Sequence, residues 1–232
     1  MKRLISTMVC DVRLQVRNGF YYAAAFVAAF WTLALSRLPT DQLTVWMPVF
    51  ILSNLLINTF YFMAGLVLLE KAEGTLMAQC VTPLRTWEYL VSKAVTLAFV
   101  SVCESLVIVI LGYGATFGPM ALLLGVIFSA VLFALAGFLV VIRYDSINEF
   151  LFPSFLFALL FVPPFLSYFN LIGSWLIYLH PIQGPLLLTQ AAFGTIEAWQ
   201  WVYSALSSIV SVGVVFFFSR RMFERFVTSE GK

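Results

Sequence analysis

Apolar residues run along this chain in long unbroken blocks, and the polar residues gather in the gaps between them. Six blocks, residues 20–38, 45–69, 94–114, 119–142, 150–168 and 199–219, have the length of a bilayer crossing. A helix needs about 20 mostly apolar residues to cross the hydrocarbon core. Strands of a barrel also satisfy the backbone in lipid, but LVIVILG and FSAVLFALAGFLVVI are continuous, not alternating, and longer than barrel strands. The pattern predicts an all-α, polytopic membrane protein with six transmembrane helices, one transmembrane domain over 1–232.

The gaps carry three further elements. In residues 1–18, Leu4, Ile5, Met8, Val9, Val12 and Val16 share one helical face, with Lys2, Arg3, Ser6, Asp11, Arg13 and Arg17 mostly opposite and Leu14 and Gln15 as exceptions. That predicts an N-terminal amphipathic helix lying at the membrane interface. Residues 170–198 are too apolar for a loop in water, and Gly173, Pro181, Gly184, Pro185 and Gly194 divide them into pieces too short to span. Two short helices dipping into the outer leaflet are expected, a re-entrant hairpin with Pro185 as a first helical residue and Gly194 as a stop. Pro163 and Pro164 should end or kink the span before it.

The third element, residues 70–93, concentrates three glutamates, two lysines and an arginine between two apolar spans. Gly74 breaks the emerging helix, Thr75 is placed to cap a new one, and Pro83 pushes Thr82 out of helical geometry. A short helix over 76–81 is expected between them. Thr86 is then placed to cap the next helix, with Glu88 in its first turn.

Composition agrees with this class: 62% hydrophobic, 10% charged, mean hydropathy +0.99. Charge sets the orientation. With the N-terminus inside, twelve of the thirteen lysines and arginines fall on the inside and only Arg37 outside, so both termini are expected in the cytoplasm and the protein in the cytoplasmic (inner) membrane. The basic residues follow the membrane and form no stripe on a soluble surface, so nucleic acid is not an expected partner. The first block is too long for a signal-peptide core and should stay as a helix. Cys10, Cys80 and Cys103 form no disulfide framework or zinc motif, and the lone His180 lacks triad or metal partners. It reads as a satisfied loop histidine, and no metal site is expected. No GxxxxGK[ST] is present, and the longest inside segment is about two dozen residues against roughly 50–200 for a soluble domain. Energy must come from another chain or an ion gradient.

Within the spans, Glu104 stands near the middle of the third, where an ionisable group costs about 2.5–3.5 kcal/mol. Ser101 and Ser105 share its face, and Asn54, Asn58, Tyr61 and Gly65 recur at helical spacing in the second span. These stripes either line a translocation path or act as structural glue between helices, where such bonds average about 0.6 kcal/mol.

Glu73-Gly74-Thr75-Leu76, Val81-Thr82-Pro83-Leu84-Arg85, Glu88-Tyr89-Leu90 and Ser92-Lys93 together resemble the short permease subunits of the ABC-2 family of ATP-binding-cassette exporters, and among them those of fluoroquinolone export. The six-span layout extends the resemblance to the whole chain. It implies that the segment between spans two and three is a coupling helix resting on a separate ATPase subunit, which would bind the ATP and Mg, while this chain carries no cofactor and no catalytic residue. It also implies a second permease, identical or homologous, and a drug-like or lipid-like amphipathic or hydrophobic cargo. By position, Gly74, Thr75, Leu76, Gln79, Thr82, Pro83, Leu84 and Arg85 would touch the ATPase, with Glu70 and Glu73 flanking. The competing class is a proton-coupled secondary transporter using Glu104. An intramembrane enzyme would need a nucleophile with its base, or a metal cluster, and neither pattern is present.

Overall fold

The computed structural model describes residues 2–76 and 85–230, which are mostly helical with no strand among them. In order these are α1 (Lys2–Arg17), α2 (Phe20–Leu35), α3 (Thr40–Leu55), α4 (Tyr61–Ala72), α5 (Thr86–Gly112), α6 (Pro119–Val141), α7 (Ile147–Leu159), α8 (Pro163–Tyr168), α9 (Gln183–Ala191) and α10 (Ala198–Glu230). A π-helical turn, Leu56–Phe60, joins α3 to α4, and a 3-10 turn, Trp175–Leu179, precedes α9.

Five continuous or nearly continuous segments are long and apolar enough to cross a membrane: Gln42–Ala72, Thr86–Gly112, Pro119–Val141, Ile147–Tyr168 and Ala198–Phe226. The expected first span makes a sixth only if α1 and α2, bent by 65° between them, are taken as one crossing. Gly19 makes the bend with φ +78°, a conformation that costs glycine little for want of a Cβ. At 1.5 Å per residue the 16 residues of α2 rise about 24 Å, short of the roughly 30 Å hydrocarbon core. The helix stops at Leu35, short of the expected end at 38, where the apolar run gives way to Ser36 and Arg37 and where Pro39 disfavours helical geometry at Leu38.

Helix α6 is the centre of the bundle and packs against α4, α5, α9 and α10. Ala130, Phe133, Ala134 and Phe138 on it are wholly buried. Lipid tails are as apolar as leucine, so close backbone approach between small residues has to supply the packing. Two glycines of α6 do this: a Cβ on Gly125 would lie 3.1 Å from the Thr189 Cα of α9, and one on Gly137 would lie 3.2 Å from the Phe60 Cα of the π turn. Around this centre, α7 and α10 turn Phe152, Phe155, Leu206 and Val210 outward, the surface a helix presents to lipid.

The hairpin differs in detail from its expected form. Its first limb is a single 3-10 turn that exposes Trp175 and Leu179, and only the second limb is an α-helix, buried between α6 and α10. Pro185 is the third residue of that helix, not the first. The first four amides of a helix have no internal acceptor, so its missing N–H is harmless there too. The two prolines do divide the preceding span, opening α8 as its first two residues. His180 ties the hairpin to that break: one ring nitrogen bonds the Leu160 carbonyl at 2.8 Å and the other accepts from the Ile182 amide at 3.2 Å. Burial holds its pKa below the usual imidazole value, and the bond to Leu160 opposes this in part.

Candidate functional site

Two polar clusters interrupt the apolar bundle, one at the end that bears the α4–α5 loop and one deep in the spans. At the loop end, Tyr89, Ser92, Lys93 and Thr96 lie on one face of α5 at the three- and four-residue spacing that aligns side chains on a helix. Lys93 is wholly buried and donates to Glu70 of α4 at 2.6 Å and to Asp11 of α1 at 3.0 Å. Tyr89 donates to the second Glu70 oxygen at 2.7 Å, and Ser92 to the second Asp11 oxygen. The Lys93 ammonium also stands over the Tyr89 ring, 4.8 Å from its centroid. One turn further on, Gln15 of α1 donates to Thr96 at 3.0 Å. Buried charge survives in a bundle when each group is both paired and hydrogen-bonded, and both carboxylates here are.

This cluster changes the reading of α1. Asp11, expected on the solvated face, is 5% exposed and points into the protein. The helix has three sides. Ile5, Val9 and Val16 face outward as for lipid, Arg13 and Arg17 are exposed, and Asp11 and Gln15 face α5.

Three more contacts brace the α4–α5 loop from other elements. Arg17 of α1 pairs with Glu73 at 3.0 Å. Lys71 reaches the Ile142 and Tyr144 carbonyls, at 2.9 and 2.8 Å, and Asp145 at 3.0 Å, so it caps the end of α6. Thr86 donates to Glu224 of α10 at 3.4 Å. Both expected threonine caps do other work. The Thr75 hydroxyl donates to the Glu70 carbonyl at 3.2 Å, and Gly74 makes the break with φ +69°. At the head of α5 it is Glu88 that accepts, from the Arg85 amide at 3.0 Å, which makes Thr86 the first helical residue.

Of the residues matched to an ATPase contact, Glu73, Gly74, Thr75 and Arg85 are exposed. Glu70 and Leu76 are not; the first is 3% exposed inside the ion cluster and the second is wholly buried in the core. Gln79, Thr82, Pro83 and Leu84, with the short helix expected over 76–81, lie outside the described residues apart from Leu76.

The second cluster is at mid-span. Asn58 donates its side-chain amide to both oxygens of Glu104, and its Nδ2 is also 3.4 Å from Asn54 Oδ1. The π turn puts Asn58 there. A π turn inserts extra backbone into a helix, rotating the residues beyond it and loosening its hydrogen bonds, and such turns occur frequently at functional sites. Thr59 fills one gap by donating to the Leu55 carbonyl, and Gly137 leaves room for the displaced Phe60 backbone. Asn58 Oδ1 and Ser105 Oγ stay buried with no hydrogen-bond partner among the described residues. Of the six residues expected along a path, Asn54, Asn58 and Glu104 thus come together and Ser105 stands beside them. Tyr61 packs instead on Phe60 and Phe150, and Ser101 bonds the Leu97 carbonyl of its own helix.

Glu104 also forms part of the wall of a groove of about 310 Å³ between α2 and α5. Ala24, Ala25, Ala28 and Ala29 make the opposite wall, and Tyr21 and Phe99 contribute rings. Alanines four apart on one helix face leave the groove open where larger side chains would fill it. That run, YYAAAFVAA, and the Tyr89–Thr96 face were the available sequence signals for parts of the two sites that spacing alone did not reveal.

Comparison with known proteins covers nearly the whole chain. The sequence profile of the fluoroquinolones export permease protein family matches residues 2–231. Relatives from two strains of Mycobacterium tuberculosis, each named a fluoroquinolones export permease protein, are 31% identical over 230 residues, covering 98% of this chain and 97% of theirs.

Proposed function

The chain belongs to the fluoroquinolones export permease family, and from that premise we propose that it is the membrane-embedded subunit of an ATP-driven exporter, worked by a separate ATPase that binds the ATP and Mg. It sits in the cytoplasmic membrane with both termini inside and pairs with a second permease. The observation that carries the reading is the bracing of the α4–α5 loop. Displacement of a loop reaches the spans only if its anchors are stiff, and this one is tied to α1, α5, α6 and α10 by Arg17–Glu73, Lys93–Glu70, Lys71–Tyr144 and Thr86–Glu224. Exposed Glu73, Thr75 and Arg85 offer polar contacts to a partner from that braced base.

The cargo is amphipathic, drug-like or lipid-like, and fluoroquinolones are the compounds named for the relatives. Glu104, Asn54 and Asn58 give the mid-span a dense set of polar groups beside a groove whose other walls are apolar. A cargo that presents an amine or other donor to Glu104 and an apolar ring to the alanine wall would satisfy both.

The test is reconstitution in proteoliposomes with and without an ATPase bearing GxxxxGK[ST] encoded beside the chain. Transport of a fluoroquinolone that requires both ATP and the second subunit is expected. Transport by the chain alone under a proton gradient, abolished in Glu104→Gln, would replace this reading with a proton-coupled one.

A further inference from the structure

A groove of about 390 Å³ opens at the loop end of the bundle, distant in sequence from both polar clusters. Arg143, just after α6, and Arg221 and Arg225, one helical turn apart on α10, contribute its charge. Leu139, Phe157 and Phe218 make its apolar walls. Among the described residues no carboxylate lines it.

That absence distinguishes the groove from its surroundings. At the same end of the bundle Arg17, Lys71, Lys93 and Arg220 each pair with a carboxylate. The acids nearest the groove in sequence are already engaged, Asp145 with Lys71 and Glu224 with Arg220. Arg221 is held by the Phe217 ring, with its guanidinium carbon 4.5 Å from the centroid, and so is kept beside its two like-charged neighbours. Three guanidinium groups around one opening repel each other unless an anion sits between them. Planar guanidinium forks match phosphate oxygens in pairs, which lysine does not.

We propose that this groove binds one anionic phospholipid, with the headgroup phosphate among Arg143, Arg221 and Arg225 and an acyl chain along Leu139, Phe157 and Phe218. Charge selects the headgroup, and the apolar walls select a lipid over a free anion. The groove joins the α6–α7 connection to α10, so a seated lipid would fasten the last span to the centre of the bundle. Only the choice of leaflet, the inner one, rests on the orientation argued above, and thiol labelling of the spans tests that separately.

The experiment is native mass spectrometry of the full chain in detergent, titrated with phosphatidylglycerol or phosphatidylcholine. The wild type should retain one phosphatidylglycerol in preference to phosphatidylcholine, and Arg143→Gln/Arg221→Gln/Arg225→Gln should weaken phosphatidylglycerol binding at least tenfold and abolish that preference. Arg13→Gln, at an exposed arginine of α1 outside the groove, should retain the lipid as the wild type does. If the triple variant does not fold, the exposed single changes Arg143→Gln and Arg225→Gln carry the test, each with a weakening of about threefold. Undiminished binding in the folded variants, or equal loss in Arg13→Gln, would overturn the proposal. So would displacement of the lipid by millimolar inorganic phosphate, which would mark a site for the free anion.

Discussion

Lys93, wholly buried at the head of α5, holds Asp11 of α1 at 3.0 Å across 82 positions of sequence. The same ammonium holds Glu70, four residues before the Gly74 that breaks the chain at the exposed loop. One cation therefore fixes three helices at the place where a partner would push.

Removing that cation should be the most damaging single change at this end. Lys93→Met leaves two buried carboxylates without their counter-charge, a loss of about 3–5 kcal/mol for a broken buried pair, or on the order of 10 °C in melting temperature for a chain of this size. Adding Asp11→Asn and Glu70→Gln removes the stranded charges and should return much of the stability. Thermal unfolding in detergent measures both, and a Lys93→Met variant that melts with the wild type would show that the cluster carries no stability.

Arg85 and Leu76 should separate partner contact from folding. Arg85 is exposed, so Arg85→Glu should reduce co-purification of the ATPase several-fold without moving the melting temperature. Leu76 is wholly buried, so Leu76→Asp should lower both, by several kcal/mol in stability. Retention of the ATPase by Arg85→Glu at wild-type level would remove Arg85 from the interface.

Glu104→Gln should keep the span folded, because the amide oxygen still accepts from Asn58, while changing which cargoes are exported. Glu104→Leu strands the Asn58 amide and should also cost about 1–3 kcal/mol. Export assays over cationic, neutral and anionic amphiphiles check this; unchanged selectivity in both variants would make the cluster structural glue alone.

Gly137→Val tests the π turn without touching a polar group. Its side chain would meet the Phe60 backbone, and overpacking of this kind costs about 1–3 kcal/mol. The expected result is a lower melting temperature with loss of the selectivity set by Asn58 and Glu104, whereas Gly213→Val, where nothing stands within 4 Å, should do neither.

Orientation is tested with single cysteines in a chain whose own three are changed to serine. Asn148→Cys, exposed in the first turn of α7, should resist an impermeant thiol reagent in intact cells, and Thr195→Cys, exposed after α9, should react. The opposite pattern would invert the topology.

The sequence by itself determined the all-helical membrane class and the order of the apolar segments, because about twenty apolar residues in a row have one stable placement in lipid and that property is local. It also determined where helices break, at Gly74 and Pro163, since backbone freedom belongs to single residues. What only the tertiary structure decided was which polar groups meet. Asp11 has the spacing of a solvated side chain and Glu70 that of a loop flank, yet both are buried against Lys93 because α1 folds back at Gly19 onto α5. Tyr61 shares the nominal stripe of Asn54 and Asn58 but turns to Phe150, because the π turn adds backbone between them and no period of 3.6 survives it. Pairing across tens of residues depends on how helices cross, and the crossing is set by where small side chains such as Gly125 and Gly137 let backbones approach.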